Sequence, residues 1–452
     1  MAAVALVAEG HDGGKNGRFA RMRKPRGRGA PVRRSANPYD RSVVKPVAKP
    51  VAKPVQKSAA KLVVVPAVIP VAKPAAPQFR DCFAIVTPGF ESLTEGELRT
   101  LGVAAVAKSE GGVSFRADDR ALVAANLQLR TATRVLVRVA EFSARSFAEL
   151  ERRAKPVRWR DYLPTGRNVA FRVTCKKSRL YHSDAVAERL AKSLMAAAPN
   201  AKVVRAGGGD DEDESPAAQL FIVRVAHDVV TISADASGEL LHRRGYRLAT
   251  AKAPIRETIA AGCLLALGYD GSVPFIDPMC GAGTFAIEAA LIARNIAPGI
   301  GRTFACESWP GFDADAARQS RVDAKAAERA SAAAPIFASD RDAGAVKATL
   351  GNAARAGVTA DLTVTECALS AIEPPSGVGM LIANPPYGAR VGDASDLRNL
   401  YAQFGNVART KLGGWRVALV SAERSLEAQT KLPFAELVKF SNGGIKVRLV
   451  AT

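Results

Sequence analysis

Residues 381–390, Leu-Ile-Ala-Asn-Pro-Pro-Tyr-Gly-Ala-Arg, carry a short apolar run straight into Asn384-Pro385-Pro386-Tyr387. Adjacent prolines remove two backbone donors and hold both φ angles near about −65°. Asn384 offers a side-chain oxygen, and the Pro385 carbonyl offers a second acceptor on a stiff elbow. The pair matches the two N–H groups of a flat exocyclic amine, and Tyr387 is placed to stack on the ring that bears it. Such an amine is a poor nucleophile because its lone pair is delocalised into the ring. Accepting both N–H bonds aims that lone pair, and the proton becomes acidic as the new bond forms, so no strong general base is required. Catalysis of this kind is alignment plus stabilisation of developing charge. A base inside a duplex would first have to be extruded. A plain turn is the competing reading, and Asn37-Pro38-Tyr39 repeats the tripeptide with no strand before it. Context therefore decides.

A second constellation lies upstream, in "FIDPMCGAGTFAIEAALIARNIAPG". Gly281 and Gly283 let the backbone turn tightly and approach a ligand, and the helix starting near Thr284 points its positive end there. The spacing Gly281-x-Gly283-x-x-Ala286 also fits a dinucleotide fingerprint. A dinucleotide fold expects its ribose acid about 20 residues on. Here the next strand-end acid, Asp340, stands 57 residues past Gly283. Asp277, ahead of the glycines, puts a carboxylate where a ligand amine rather than a pyrophosphate would bind. With an amine clamp on a later strand, S-adenosylmethionine fits better than a nicotinamide dinucleotide.

These residues need a parallel sheet to bring them together. After Pro254 the chain alternates strands and helices, with strands at "VPFID", "PIFAS", "LTVTE", "GMLIAN" and "WRVALVS". It closes on a hairpin around Asn442-Gly443-Gly444. This is the pattern of a class I (Rossmann-like) α/β methyltransferase sheet. Before it, residues 78–142 read strand, helix, strand, helix, strand, a small α+β domain: a strand at Phe83 to Val86, a helix from Glu91 to Leu101 closed by Gly102, then "GGVSFRA", "DRALVAANLQL" and "RVLVRVAEF". Residues 143–250 give a strand, a basic loop and a helix with Ser183 as N-cap. An acidic run, 207–215, and a hairpin turning near His227-Asp228 follow.

Net charge is +21 over 452 residues, yet 16 lysines and arginines against three acids fall in residues 1–77. That basic, Lys-Pro-rich tail ("VVKPVAKPVAKPVQK") cannot build a core and reads as disordered. It serves either as an RNA tether or as a passive solubility segment. The body keeps a milder basic bias, which fits a polyanion such as RNA, with solubility or an anionic membrane surface as the alternatives. Six scattered cysteines without a C-x-x-C pair, and four histidines without ligand spacing, argue against disulfides or a metal and for a reducing, cytoplasmic setting. No apolar stretch reaches the roughly 20 residues of a membrane span. In "LLHRRGYRLATAKAP", Arg243, Arg244, Arg247 and Lys252 surround Tyr246, a mix suited to phosphate contacts and one stacking ring, or else a solvated linker.

"DPMCGAGTFAIEAALIARNIAPG", "SWPGFD", "LHRRGYR", "APIRETIAAG" and "NPPYGARVGD", colinear over residues 79–452, closely resemble the bacterial THUMP-domain methyltransferases. The resemblance implies a ferredoxin-like domain over 78–142, a THUMP RNA-binding domain over 143–250 and the methyltransferase domain over 251–452. It further implies S-adenosylmethionine held around Asp277, Cys280, Gly281, Gly283 and Thr284, ribose hydroxyls on Asp340, and the target amine on Asn384 and Pro385, with Pro386 and Tyr387 completing the clamp. The small domain and the THUMP region, including Lys176, Lys177 and Arg179, would grip RNA. The expected reaction is methyl transfer to guanine N2 in large-subunit rRNA or its assembly precursor, by a monomer. A tRNA guanine-N2 methyltransferase and a non-catalytic assembly factor are the rivals. Two departures stand out. Glu366 or Cys367 occupies the place of the usual acid beside the adenine, and the sequence ends at Thr452 without a second methyltransferase domain, so dual activity is not expected.

Overall fold

The computed structural model describes residues 79–205, 218–248, 255–386 and 394–452, all within one unit, Lys73–Thr452. The basic tail, the acidic run 207–215, Lys252 and Tyr387 lie outside the described residues.

The first lobe begins with β1 (Arg80–Val86), α1 (Glu91–Thr100), β2 (Ala104–Ser109), β3 (Gly112–Ala117), α2 (Asp119–Gln128) and β4 (Ala132–Ser143). It continues through α3 (Phe147–Ala154), β5 (Asn168–Lys176), α4 (Ser183–Ala197), β6 (Lys202–Arg205), β7 (Ala218–Ala226) and β8 (Val229–Asp235). Sequence reasoning separates these two halves near residue 142, but they share one eight-stranded sheet, β2-β3-β1-β4-β8-β7-β5-β6. The twelve-residue β4 is the reason. Its first half pairs with β1 (Cys82↔Val137) and its second half with β8 (Ser143↔Val229), so one core runs under both halves.

Strands β2 and β6 escape sequence reading. Alanine-rich "AAVAKS" has weak strand propensity, lies almost wholly exposed, and kinks at Ala105 (φ 53°), where the register slips. Four-residue β6 is a short parallel edge beside β5. The hairpin at His227-Asp228 is present, with φ of 52° and 64° at the two turn residues. Helix α4 starts at Ser183 rather than after it; His182 takes the cap position and makes no side-chain capping bond.

The second lobe runs α5 (Glu257–Ala266), β9 (Phe275–Asp277), α6 (Thr284–Ala293), α7 (Ala314–Ala326), β10 (Ile336–Asp340), α8 (Ala343–Ala356), β11 (Leu362–Glu366), β12 (Met380–Ala383), α9 (Ala394–Lys411), β13 (Arg416–Ser421), α10 (Arg424–Gln429), β14 (Ala435–Asn442) and β15 (Ile445–Ala451). Its sheet order is β11-β10-β9-β12-β13-β15-β14, parallel from β11 to β13 and then antiparallel through β15 and β14. That is the class I methyltransferase topology. All three residues of β9 and all ten of α6 are buried, which matches their mostly apolar sequences and takes Asp277, Thr284 and Glu288 inside with them.

The lobes are joined by specific contacts. Arg120 pairs with Asp323 of α7 at 2.7 Å. Trp309 of "SWPGFD" donates from its indole N–H to Gln219 of β7 at 2.8 Å and packs edge-on against Tyr162. Arg130 donates to the carbonyls of Leu291 and Ile296 at 3.3 and 2.9 Å, gripping the end of α6.

Candidate active site

In the sheet register Ala338 stands opposite Asp277, and Leu381 stands opposite Ile276. Asp340 on β10 and Asn384 past β12 therefore both lie two residues beyond the level of Asp277, about 7 Å further along. They flank it on opposite sides, because β10 and β12 are the two neighbours of β9. A ligand laid across the strand ends meets all three, at the place where strand order reverses and open α/β sheets bind ligands.

The loop between β9 and α6 is shaped by two left-handed glycines, Gly281 (φ 55°) and Gly283 (φ 82°), the latter at the cap of α6. A Cβ on Gly283 would lie 2.6 Å from the Thr349 methyl. Helix α8 holds the loop from behind. The Thr349 hydroxyl donates to the Gly281 carbonyl at 3.0 Å, and the Asn352 amide donates to the Ala282 carbonyl at 2.9 Å. Thr349 and Asn352 are buried and were missed by sequence reading; their only signal is that they share the inward stripe of α8 with Ala345 and Ala353. Cys280 belongs to this frame. Its N–H donates to the Ser339 carbonyl at 2.9 Å, its sulfur sits 3.4 Å from the Thr349 hydroxyl, and burial pushes its thiol pKa up. Thr284 is buried at the first position of α6.

Asp277 is buried. Loss of hydration pushes its carboxyl pKa up to about 8, a bond from the Met279 N–H at 3.4 Å opposes this, and the charge of Asp340 adds to it. A carboxylate so placed recovers its charge only beside a cation, which is what an α-ammonium group offers. Asp340 accepts the Gly281 N–H at 3.0 Å through one oxygen and the Asp342 N–H at 3.1 Å through the other. Each oxygen keeps a lone pair for a further donor such as a ribose hydroxyl. Glu366 pairs in register with Asp340 and is exposed, while the Cys367 N–H donates to the Asp340 carbonyl at 3.0 Å.

Pro385 is buried, and the Asn384 side-chain oxygen is buried with no hydrogen-bond partner among the described residues. An acceptor left so costs about 1–3 kcal/mol. It is the state of a group reserved for a donor that the other described residues do not supply.

The "LHRRGYR" stretch does different work from that expected. Tyr246 is buried and donates its hydroxyl to Glu288 of α6 at 3.0 Å. Arg244 sits 3.6 Å from the same carboxylate and donates to the Arg130 carbonyl at 2.7 Å. Arg247 pairs with Glu257 of α5 at 3.0 Å and donates to the Ile255 carbonyl at 2.8 Å. These three form an internal clasp and are not free to touch RNA. Their partner acids lie 10 and more than 40 residues on, so the stretch resembles an open basic patch until the fold closes. Arg243 is half-buried, whereas Lys176, Lys177 and Arg179 are exposed.

Among the described residues no cluster of His, Cys, Asp and Glu could hold a metal ion, and no helix is long and apolar enough to cross a membrane.

Residues 244–451 match the family described as "RMKL-like, methyltransferase domain", and residues 81–136 match the "RlmL ferredoxin-like domain". The protein named "Putative RNA methyltransferase slr0064" from Synechocystis sp. is 33% identical over 375 residues, 82% of this chain and 96% of that one. The "Ribosomal RNA large subunit methyltransferase K/L" of Syntrophotalea carbinolica is 33% identical over 400 residues, 81% of this chain but 53% of the relative. Among solved structures, SMU.472, crystallised in complex with SAH, superposes with a TM-score of 0.72 at 29% identity, covering 83% of this chain and 98% of its own.

Proposed function

Because the chain belongs to the RMKL-like methyltransferase family, we propose that it transfers a methyl group from S-adenosylmethionine to the exocyclic N2 of a guanine in large-subunit rRNA, acting in the cytoplasm on the RNA or on an assembly precursor. The observation that carries the target chemistry is the unpartnered, buried Asn384 oxygen at the end of β12. The cofactor is supported by the SAH complex of a similar protein and by the family match, and the rRNA substrate by the name of the Syntrophotalea relative.

S-adenosylmethionine supplies an electrophilic methyl on a sulfonium. The chain's residues do the rest by placement. Asp277 takes the ammonium group and is ionised by it. Asp340 accepts from the ribose hydroxyls while bracing the glycine loop. Asn384 and the Pro385 carbonyl each accept one N–H of the guanine amine, which aims the nitrogen lone pair at the methyl carbon. As the N–C bond forms and the S–C bond breaks, these acceptors stabilise the positive charge growing on nitrogen, and one amine proton leaves to solvent. The rigid proline pair costs no reorganisation at that moment. Residues 143–250 act as a THUMP-type RNA grip, with exposed Lys176, Lys177 and Arg179 on the phosphates.

The test is transfer of labelled methyl from S-adenosylmethionine into unmodified large-subunit rRNA and, separately, unmodified tRNA. Incorporation into rRNA alone supports the reading. Incorporation into tRNA alone moves the enzyme to its rival substrate, and absence of S-adenosylmethionine binding would leave an RNA-binding assembly factor.

A further inference from the structure

The corner of the first lobe where β5, β7, β4 and β8 have their ends carries more than scattered charge. Tyr181 is 69% exposed, with its ring 4.0 Å from that of His182. A tyrosine so open contributes nothing to the core and loses the gain from burial. The loop that presents it is nonetheless firmly held. Leu180 is buried in the lobe's core. The Ser178 hydroxyl donates to the Lys176 carbonyl at 3.0 Å and accepts the Asp228 N–H at 3.1 Å, while the Arg179 N–H donates to the Asp228 carboxylate at 2.8 Å. Lys177 is kept at φ 49°, and with His227 and Asp228 this corner holds three of the six non-glycine positive-φ residues described. His227 and Asp228 take these angles as their hairpin turn requires, which leaves Lys177 as the residue held in a costly conformation. Lys176, Lys177 and Arg179, all within five residues of Tyr181, are exposed, and Arg145 reaches the same turn through Asp228 at 3.3 Å. Two acids, Asp228 and Asp184, also lie here. Asp228 is engaged by the loop itself, and Asp184 is in the first turn of α4, where it suits the helix dipole.

We infer that Tyr181, backed by His182, is a stacking platform for an unpaired base of the RNA, with Lys176, Lys177 and Arg179 on the adjoining phosphates; this rests on the RNA reading above and names its contact. A preorganised flat ring with exposed cations near it in the chain suits single strands, because a duplex offers phosphates but no free base face. The site therefore selects an unpaired segment of the RNA.

The experiment uses the full chain and two labelled probes, a mixed-sequence single-stranded RNA of about 12 nucleotides and a blunt duplex of the same sequence, with binding followed by fluorescence anisotropy over a salt series. Tyr181→Ala is expected to weaken single-strand binding about tenfold with an unchanged salt slope, to leave duplex binding alone, and to be rescued by Tyr181→Phe. Lys176→Ala with Lys177→Ala should instead flatten the slope. Binding of S-adenosylhomocysteine should stay as in the wild type throughout. Equal binding by Tyr181→Ala and wild type, or equal losses on both probes, overturns the platform and leaves the RNA reading standing. A wild-type chain that binds neither probe overturns both. Tyr181-dependent binding to anionic lipid vesicles in place of RNA overturns the platform as well.

Discussion

The Thr349 hydroxyl donates to the Gly281 carbonyl at 3.0 Å, and its methyl fills the space that a side chain on Gly283 would need. Helix α8 thus sets the shape of the glycine loop proposed to face the cofactor. Replacing Thr349 by Val leaves the Gly281 carbonyl without this donor. Affinity for S-adenosylhomocysteine should fall about fivefold, and stability by about 1 kcal/mol. Gly283→Ala forces both a left-handed alanine and a clash, so calorimetry should show cofactor binding lost and stability lowered by about 1–3 kcal/mol.

Asp277 links binding to pH. Its carboxyl is raised to about 8 by burial, against an ordinary value of about 4. Between those values the folded chain holds a proton that the unfolded chain has released, so stability declines as pH rises from about 4 to about 8. An ammonium ligand favours the ionised form, so S-adenosylhomocysteine binding should release a proton and tighten as pH climbs toward 8. Titration calorimetry in buffers of different ionisation enthalpy reads that proton directly. Asp277→Asn should bind weakly and without the pH dependence.

Arg244 is internal. Arg244→Ala leaves Glu288 buried with reduced compensation and should cost about 3 kcal/mol in a denaturant melt. The salt slope of RNA binding should not move. A flatter slope with unchanged stability would return Arg244 to the RNA surface.

Residues 1–77 carry 16 cations against three acids. Deleting them should weaken RNA binding and reduce its salt slope, measured by anisotropy over a salt series. An unchanged slope would make the segment a bystander.

The parts of the site that the primary structure discloses are those written in short-range chemistry. Asp277, the left-handed Gly281 and Gly283, and Asn384-Pro385-Pro386 each sit at a strand end marked by an apolar run, and the parallel sheet follows from alternation with helices. What stays hidden depends on neighbours distant along the chain. Thr349 and Asn352 resemble any polar residues of an alanine-rich helix until α8 is laid against the loop. Tyr246 and Arg244 look solvated until Glu288, more than 40 residues away, is packed beside them. Strand β2 is legible only through β3, because its own alanines have little preference for extended backbone.

The central claim is that the orphan oxygen of Asn384 selects and aims a guanine amine. Nucleoside mass spectrometry on unmodified large-subunit rRNA, incubated with S-adenosylmethionine and either wild-type or Asn384→Ala protein, tests it most directly. The wild type should produce N2-methylguanosine. The variant should lose about 10²- to 10³-fold in rate while binding S-adenosylhomocysteine normally and melting no earlier, since the substitution removes an unsatisfied buried acceptor. A different methylated base, or full turnover by Asn384→Ala, would contradict the account.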